Sequence, residues 1–264
     1  MRIALGVEYA GDAFRGWQSQ ANAVTVQDYL EAALAGIAGY PVRLHCAGRT
    51  DAGVHATAQV AHFDVSVVRP LGAWVRGVNN KLPPSVAVRW AAEVSETFHA
   101  RFSAVSRRYR YFLHNAPVRP AILSGRVGWF HVPLDEHVMS DAAARLVGLH
   151  DFSSFRAAGC QAKSPLKLMH EARVHRQGEY LIFDFWANAF LHHMVRNLVG
   201  ALVYIGKGTY PPGWIEELLH ARDRSHAAPT FPADGLYLCG VEYLPHWPLP
   251  NEGRIISVPR IPLS

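Results

Sequence analysis

The chain has 264 residues, half of them hydrophobic, which is enough for a packed core and corresponds to one large domain or two small ones. Lysine and arginine number 26 against 21 acidic residues, and a net charge of +5 at a pI near 9.2 attracts a polyanion only if it is gathered on one face. Three distant cysteines without CxxC or histidine spacing exclude a disulfide framework and a zinc site, and no run of about 18 apolar residues or basic leader points to a membrane span or export, so a cytoplasmic protein is expected.

Residues 2–9 alternate Ile3, Leu5, Val7 and Tyr9 with smaller or polar neighbours, the period-two pattern of a half-buried strand. Thr25 followed by Asp28 is a capping-box variant, and Val26, Leu30, Leu34 and Ile37 recur at helical spacing until Gly39. Val42, Leu44 and Cys46 alternate again. After a loop centred on Asp51, so do Ala61, Phe63 and Val65. Pro70 opens a helix marked by Leu71, Trp74 and Val78, Pro83-Pro84 ends it, and Val86 to Val94 reads as a fourth strand. The order is β-α-β-β-α-β, the ferredoxin-like arrangement, with the Asp51 loop joining its two middle strands.

The second half repeats this order more loosely: a strand at 108–114, a helix near 135–147, strands near 168–176 and 180–187, a helix at 190–205, a shorter one at 212–221, and a strand at 236–243. The spacing therefore predicts an α+β fold of two ferredoxin-like halves, 1–105 and 106–246. The halves are expected to join edge to edge into one broad, mainly antiparallel sheet with helices on one face and a cleft on the other. Five prolines after residue 244 make 247–264 an extended tail. A Rossmann reading fails for want of G-x-G-x-x-G, and Trp17 in Tyr9-Ala-Gly-Asp-Ala-Phe-Arg-Gly-Trp-Gln18 stands where a P-loop would carry lysine.

Three stretches carry chemistry. Ala47-Gly-Arg-Thr-Asp-Ala-Gly-Val-His-Ala56 crowds an acid, a base and two glycines between strands; this suits an accessible reactive carboxylate at Asp51, or an Asx turn with an incidental arginine. Thr97 to Leu134 contains six arginines and no acid, interleaved with Phe98, Phe102, Tyr109, Tyr111 and Phe112: guanidinium groups for phosphates and flat rings for an unstacked base, or else an edge strand with a charged solvent face. Alternation sends Tyr109 and Tyr111 to one face and Arg108 and Arg110 to the other. In the expected helix 190–205, Arg196 is the one formally charged residue on an apolar element, so it needs a carboxylate, a phosphate or backbone carbonyls. His192 and His193, adjacent on a helix, would point about 100° apart and make a poor metal pair.

Gly48-Arg-Thr-Asp-Ala-Gly-Val-His-Ala56 resembles the signature of the tRNA pseudouridine synthase A family. Further matches follow in order at Tyr9–Gln18, Phe98–Phe102, Arg107–Tyr111, Gly159–Lys163, His192–Asn197 and Gly235–Leu238, so the resemblance runs from Ile3 to about Tyr243. It implies an isomerase without cofactor, metal or bound nucleotide that flips uridine out of the anticodon stem-loop of tRNA and converts it to pseudouridine at positions 38, 39 and 40, in a homodimer whose cleft binds RNA. Asp51 is then the nucleophile, Arg196 its ion-pair partner, Tyr109 the residue that contacts the target base and is a candidate for proton transfer, and Leu236 a packing residue near the uracil. Arg49 is the candidate to fill the space the base vacates. The further tRNA contacts implied are Arg69, Phe98, His99, Ala100, Arg101, Phe102, Gly159, Cys160, Gln161, Ala162 and Lys163. Pro117 stands where another basic residue was expected, a departure in the phosphate track. Two rival readings are a non-catalytic RNA-binding module, which lacks the Gly-and-aromatic ribonucleoprotein signature, and a metal-dependent nucleic-acid hydrolase, which lacks clustered ligands.

Overall fold

The structure is a computed structural model that describes residues 1–250; of the extended tail expected over 247–264, residues 251–264 lie outside the described residues. Ten strands and four α-helices occur among the described residues, so the α+β class expected from the spacing is the class observed. By its internal contacts the chain divides into two units, one made of Met1–Ser106 and the segment beginning at Tyr237, the other of Arg107–Leu236.

In the first unit, strand β1 (Arg2–Tyr9) is flanked on both sides, antiparallel to β3 (His55–Asp64) and to β4 (Val86–Val94), and Ile3 to Val7 are buried. Helix α1 (Val26–Ala38) begins where the sequence signals it. The Thr25 side chain accepts the Asp28 N–H, and Gly39 closes the helix at φ 86°, its N–H bonded to Ala35 O. Its apolar stripe buries Val26, Leu30, Ala33 and Leu34. The expected strand at 42–46 shrinks to β2, the two residues His45–Cys46 paired with His62 and Ala61. Val42 and Leu44 are buried all the same, because their alternation reflects packing and not a ladder. The helix expected after Pro70 contains a π-helical turn, Ala73–Gly77, whose buried Trp74 meets Phe63 edge-on at 5.2 Å. The last strand, β10 (Leu236–Tyr243), pairs in parallel with the start of β3, Tyr237 opposite His55 and Leu238 opposite Ala56. The outer edge of β3 is thus shared: β10 covers its beginning and β2 its end, and the Asp51 loop emerges between the two.

In the second unit, β5 (Ala104–Asn115), β9 (Tyr180–Ala187), β8 (Leu166–Gln177) and β7 (Gly148–Asp151) lie in that order, each antiparallel to the next. A three-residue strand, β6 (Gly128–Phe130), runs parallel to β5. Neither β6 nor β7 is long enough to show an alternation, which is why the spacing did not announce them. Helix α2 (Glu136–Ala144) is capped by Asp135, which accepts the His137 and Val138 N–H groups. Helix α3 (Met194–Gly206) is buried along most of its length, and α4 (Trp214–Ala221) follows. Helix α3 begins at Met194, four residues after its expected start, with His193 at φ 61° in the N-cap position. His192 and His193 therefore precede the helix, their rings 4.1 Å apart, and the 100° separation expected of helical neighbours does not apply to them. Among the described residues, no helix is long and apolar enough to cross a membrane.

Candidate active site

The loop between β2 and β3 is a turn braced from two directions. The Asp51 carbonyl accepts the Val54 N–H at 3.1 Å, and Gly53 turns the chain at φ 80°. The Gly53 N–H reaches across to Phe14 O at 3.4 Å. The turn is held by backbone bonds, and the Asp51 side chain beside them is half-buried. From one side the segment Gly11–Trp17 clasps the loop: the Trp17 N–H reaches Thr50 O at 3.0 Å, and the Gly11 N–H reaches His55 Nδ1 at 2.9 Å. Trp17 itself is buried against Tyr9, ring centres 5.8 Å apart, so the residue that replaces a P-loop lysine is a core residue.

From below, a buried polar chain supports the loop. Tyr9 Oη and Thr50 Oγ1 are 2.7 Å apart, and Gln59 Nε2 lies 3.4 Å from Tyr9 Oη and 2.7 Å from Gly48 O. His55, buried at the start of β3, stacks on Tyr237 with ring centres 4.6 Å apart. Tyr9, Gln59 and His55 were not singled out from the sequence. Their signal was present: β3 carries His55, Thr57, Gln59 and His62 in a run whose first nine residues are all buried, and buried polar groups require partners.

Arg49 is exposed at the rim of this loop, as is Arg69 further along the unit. Within Phe98–Phe102, Phe98 and Ala100 are wholly buried, so their side chains seat the turn, while Arg101 and Phe102 are exposed with the guanidinium carbon 5.7 Å from the ring centre. The turn is anchored by histidines. His62 Nδ1 accepts the Ala100 N–H, and His99 Nδ1 accepts the N–H groups of Arg101 and Phe102. Rings of His45, His62 and His99 pack together with centres 4.6 to 5.6 Å apart. Burial, reinforced by the like charges of His99, Arg2 and His45, holds His62 down at about 4. Burial pushes the Cys46 thiol up to about 12 against the opposing pull of Arg49 and then Arg101.

In the second unit, the faces of β5 separate as its alternation predicts. Tyr109 and Tyr111 are buried, Arg108 lies 3.9 Å over the Trp186 ring, and Arg110 pairs with Asp184 at 2.6 Å. The arginine-rich stretch is acid-free only along the sequence, because the neighbouring strand β9 brings Asp184 opposite Arg110. Arg107 is buried and bonded to Asn188 O, which leaves Arg101 and Arg119 as the well-exposed arginines of the six. The Tyr109 ring meets Phe190 edge-on at 5.0 Å. Arg196 is half-buried, not enclosed as the apolar helix suggested, because it falls in the first turn of α3; its Nε donates to Phe231 O at 2.8 Å. Burial raises the Tyr111 phenol, with Asp234 adding to the effect and Arg196 opposing it, and the hydroxyl donates to Pro232 O. Leu236 is buried behind Gly235, where an added Cβ would lie 2.2 Å from Phe112 O.

The Gly159–Lys163 loop is cross-tied by Arg156, whose guanidinium donates to Cys160 O and Ala162 O. Gly159, Gln161 and Lys163 are exposed, and Cys160 and Ala162 half-buried. Burial pushes the Cys160 thiol up, but the His192 and Ala162 N–H groups and Arg156 outweigh it and leave the thiol below its usual value.

Comparison with known proteins bears on what this geometry serves. A family model described as tRNA pseudouridine synthase matches residues 6–103 and 142–244. The chain is 73% identical to a tRNA pseudouridine synthase A of Aromatoleum aromaticum over 99% of both chains. It is 66% identical to that of Dechloromonas aromatica over 95% of this chain and 96% of the relative. The one from Methylobacillus flagellatus is 60% identical, over 98% and 99%.

Proposed function

Because this chain belongs to the tRNA pseudouridine synthase family, isomerases that act on tRNA, we propose that it converts uridine to pseudouridine in the anticodon stem-loop, at positions 38, 39 and 40, with Asp51 as the nucleophile. The observation that carries this reading is the braced turn. Backbone bonds hold it, and they set the half-buried Asp51 carboxylate beside exposed Arg49, which suits a positioned nucleophile.

The reaction breaks a C–N glycosidic bond, turns the uracil and forms a C–C bond to the same sugar carbon. A uridine stacked in the stem-loop has to leave the stack first, which costs a few kcal/mol that phosphate contacts offset. Arg49 fills the vacated space, and Arg101, Arg69 and Lys163, all exposed, hold phosphates. Tyr109 contacts the flipped base and is the candidate to move a proton. Leu236 packs by the uracil, and Arg196 favours the ionised form of the nucleophile. The working protein is a cytoplasmic homodimer in this reading.

The test is tritium release from tRNA labelled at C5 of uridine. Asp51→Asn keeps size and removes the charge that the attack requires, so it should bind tRNA within about tenfold of wild type, roughly 1.4 kcal/mol, and release no tritium. Turnover by purified Asp51→Asn at even about a tenth of the wild-type rate refutes the nucleophile assignment.

A further inference from the structure

Between the end of β2 and the Asp51 turn, a side chain replaces a rung of the strand ladder. Cys46 pairs with Ala61, and the Ala47 N–H still reaches Val60 O at 2.7 Å. At the next residue, Gly48, the partner is the Gln59 amide: Nε2 donates to Gly48 O at 2.7 Å, and the Gly48 N–H donates to Oε1 at 3.4 Å. A primary amide offers the same donor and acceptor as a peptide group, so the ladder is continued by one residue without a strand to continue it. The same Nε2 lies 3.4 Å from Tyr9 Oη, and Tyr9 Oη lies 2.7 Å from Thr50 Oγ1. Gly48 and Thr50, the two residues that flank Arg49, are therefore both tied to Gln59, one directly and the other through Tyr9.

Gln59 is wholly buried, so it meets no substrate, and burying an amide is worthwhile only where its bonds are made. We propose that Gln59 is a positioning residue for the reaction: its side-chain amide fixes the backbone on both sides of Arg49 and so holds the Arg49 guanidinium and the Asp51 carboxylate in register. The proposal rests on Asp51 being the reacting carboxylate. A loop held only at its ends would let both groups drift, and a displacement of about 1 Å at a reacting group costs up to about a hundredfold in rate.

The same unit contains a matched control. Asn79 clips Val88 in the same two-bond manner, Nδ2 to Val88 O at 2.8 Å and the Val88 N–H to Oδ1 at 2.8 Å, away from the Asp51 turn and at the join between the π-helical turn and β4. Gln59→Met deletes a buried amide clip and Asn79→Leu a half-buried one, so both should lower the melting temperature. Only Gln59→Met should lower kcat, by about tenfold or more, with KM for tRNA and tRNA affinity within about twofold of wild type. Should Gln59→Met fail to fold, Gln59→Asn, which keeps an amide but falls one methylene short of Gly48, enters the same comparison. Equal kcat losses in the Gln59 and Asn79 variants, or wild-type kcat in a folded Gln59 variant, overturn the positioning role whatever Asp51→Asn shows. Activity of Asp51→Asn overturns the nucleophile instead, whatever the Gln59 variant shows.

Discussion

Replacing Gly16 by alanine isolates the bracing of the Asp51 turn. Gly16 sits at φ 95°, and an added Cβ would lie 2.7 Å from Thr50 O and 3.1 Å from the Asp51 carbonyl carbon. Two costs follow, and a second glycine separates them. Gly39 has φ 86° with nothing within 4 Å of an added Cβ, so Gly39→Ala carries the left-handed backbone penalty alone, about 1–2 kcal/mol. In a domain of this size that lowers the melting temperature by roughly 2–8 °C. Gly16→Ala carries the same penalty and in addition must open its contact with Thr50 O from 2.7 Å to an ordinary separation of at least 3.4 Å, a movement of about 0.7 Å. The Gly16 side is tied down, the Arg15 N–H to Val24 O and the Val26 N–H to Gly16 O, so the give is taken up by the Thr50–Asp51 peptide. If Asp51 is the nucleophile proposed above, a shift of that size should cost about tenfold or more in kcat. Thermal melting and tritium release on both variants make the test. Gly39→Ala should melt lower and turn over normally, and Gly16→Ala should melt lower still and turn over slowly. A folded Gly16→Ala enzyme with wild-type kcat would refute the claim that the Gly11–Trp17 clasp sets the position of Asp51.

Three further outcomes are expected. Arg101→Ala removes an exposed guanidinium from a turn that stays anchored by His62 and His99. It should weaken tRNA binding and flatten its salt dependence by about one phosphate, and an unchanged slope in a filter-binding titration would remove Arg101 from the phosphate track. Tyr109→Phe keeps the ring against Phe190 and loses the hydroxyl, so tRNA affinity should hold while turnover falls; full turnover would exclude proton transfer by that hydroxyl. His62 takes up a proton at about 4 when folded, against an ordinary value of 6.5, so its contribution to stability is whole above about 6.5 and is lost as pH falls to about 4. Protonation also removes the lone pair that accepts the Ala100 N–H. Melting temperatures from pH 7 to 4 should fall less steeply in His62→Phe than in wild type, and parallel slopes would assign the acid limb to another group.

Most of what lies along one segment was legible in the sequence. The Thr25 cap, the Gly39 stop, the alternation of β4 and the two faces of β5 each depend on neighbours a few residues apart, and a local pattern carries that information because helix and strand periods are local geometry; β1 is a strand as expected, but it is buried on both faces from Ile3 to Val7 and not half-buried as its alternation suggested. The Asp51 stretch stood out for the same reason: an acid, a base and two glycines in ten residues are a local composition. Patterns in side chains, however, report burial before they report pairing. Val42 and Leu44 alternate into the core without joining a ladder, while β6 and β7 pair without a pattern long enough to read.

What only the tertiary structure decided depends on partners far apart in the chain. An arginine-rich run without acids proved to include an ion pair, because β9 lays Asp184 against Arg110 across 74 residues. Arg196 looked enclosed on an apolar helix, but the chain turns left-handed at His193, starts α3 late and leaves the arginine half-exposed in its first turn, bonded to Phe231 O. The support of the Asp51 turn was equally hidden. Tyr9, Thr50 and Gln59 meet across 9 to 50 residues, and no spacing announces them, since a hydrogen bond is fixed by distance in space while a sequence records only distance along the chain.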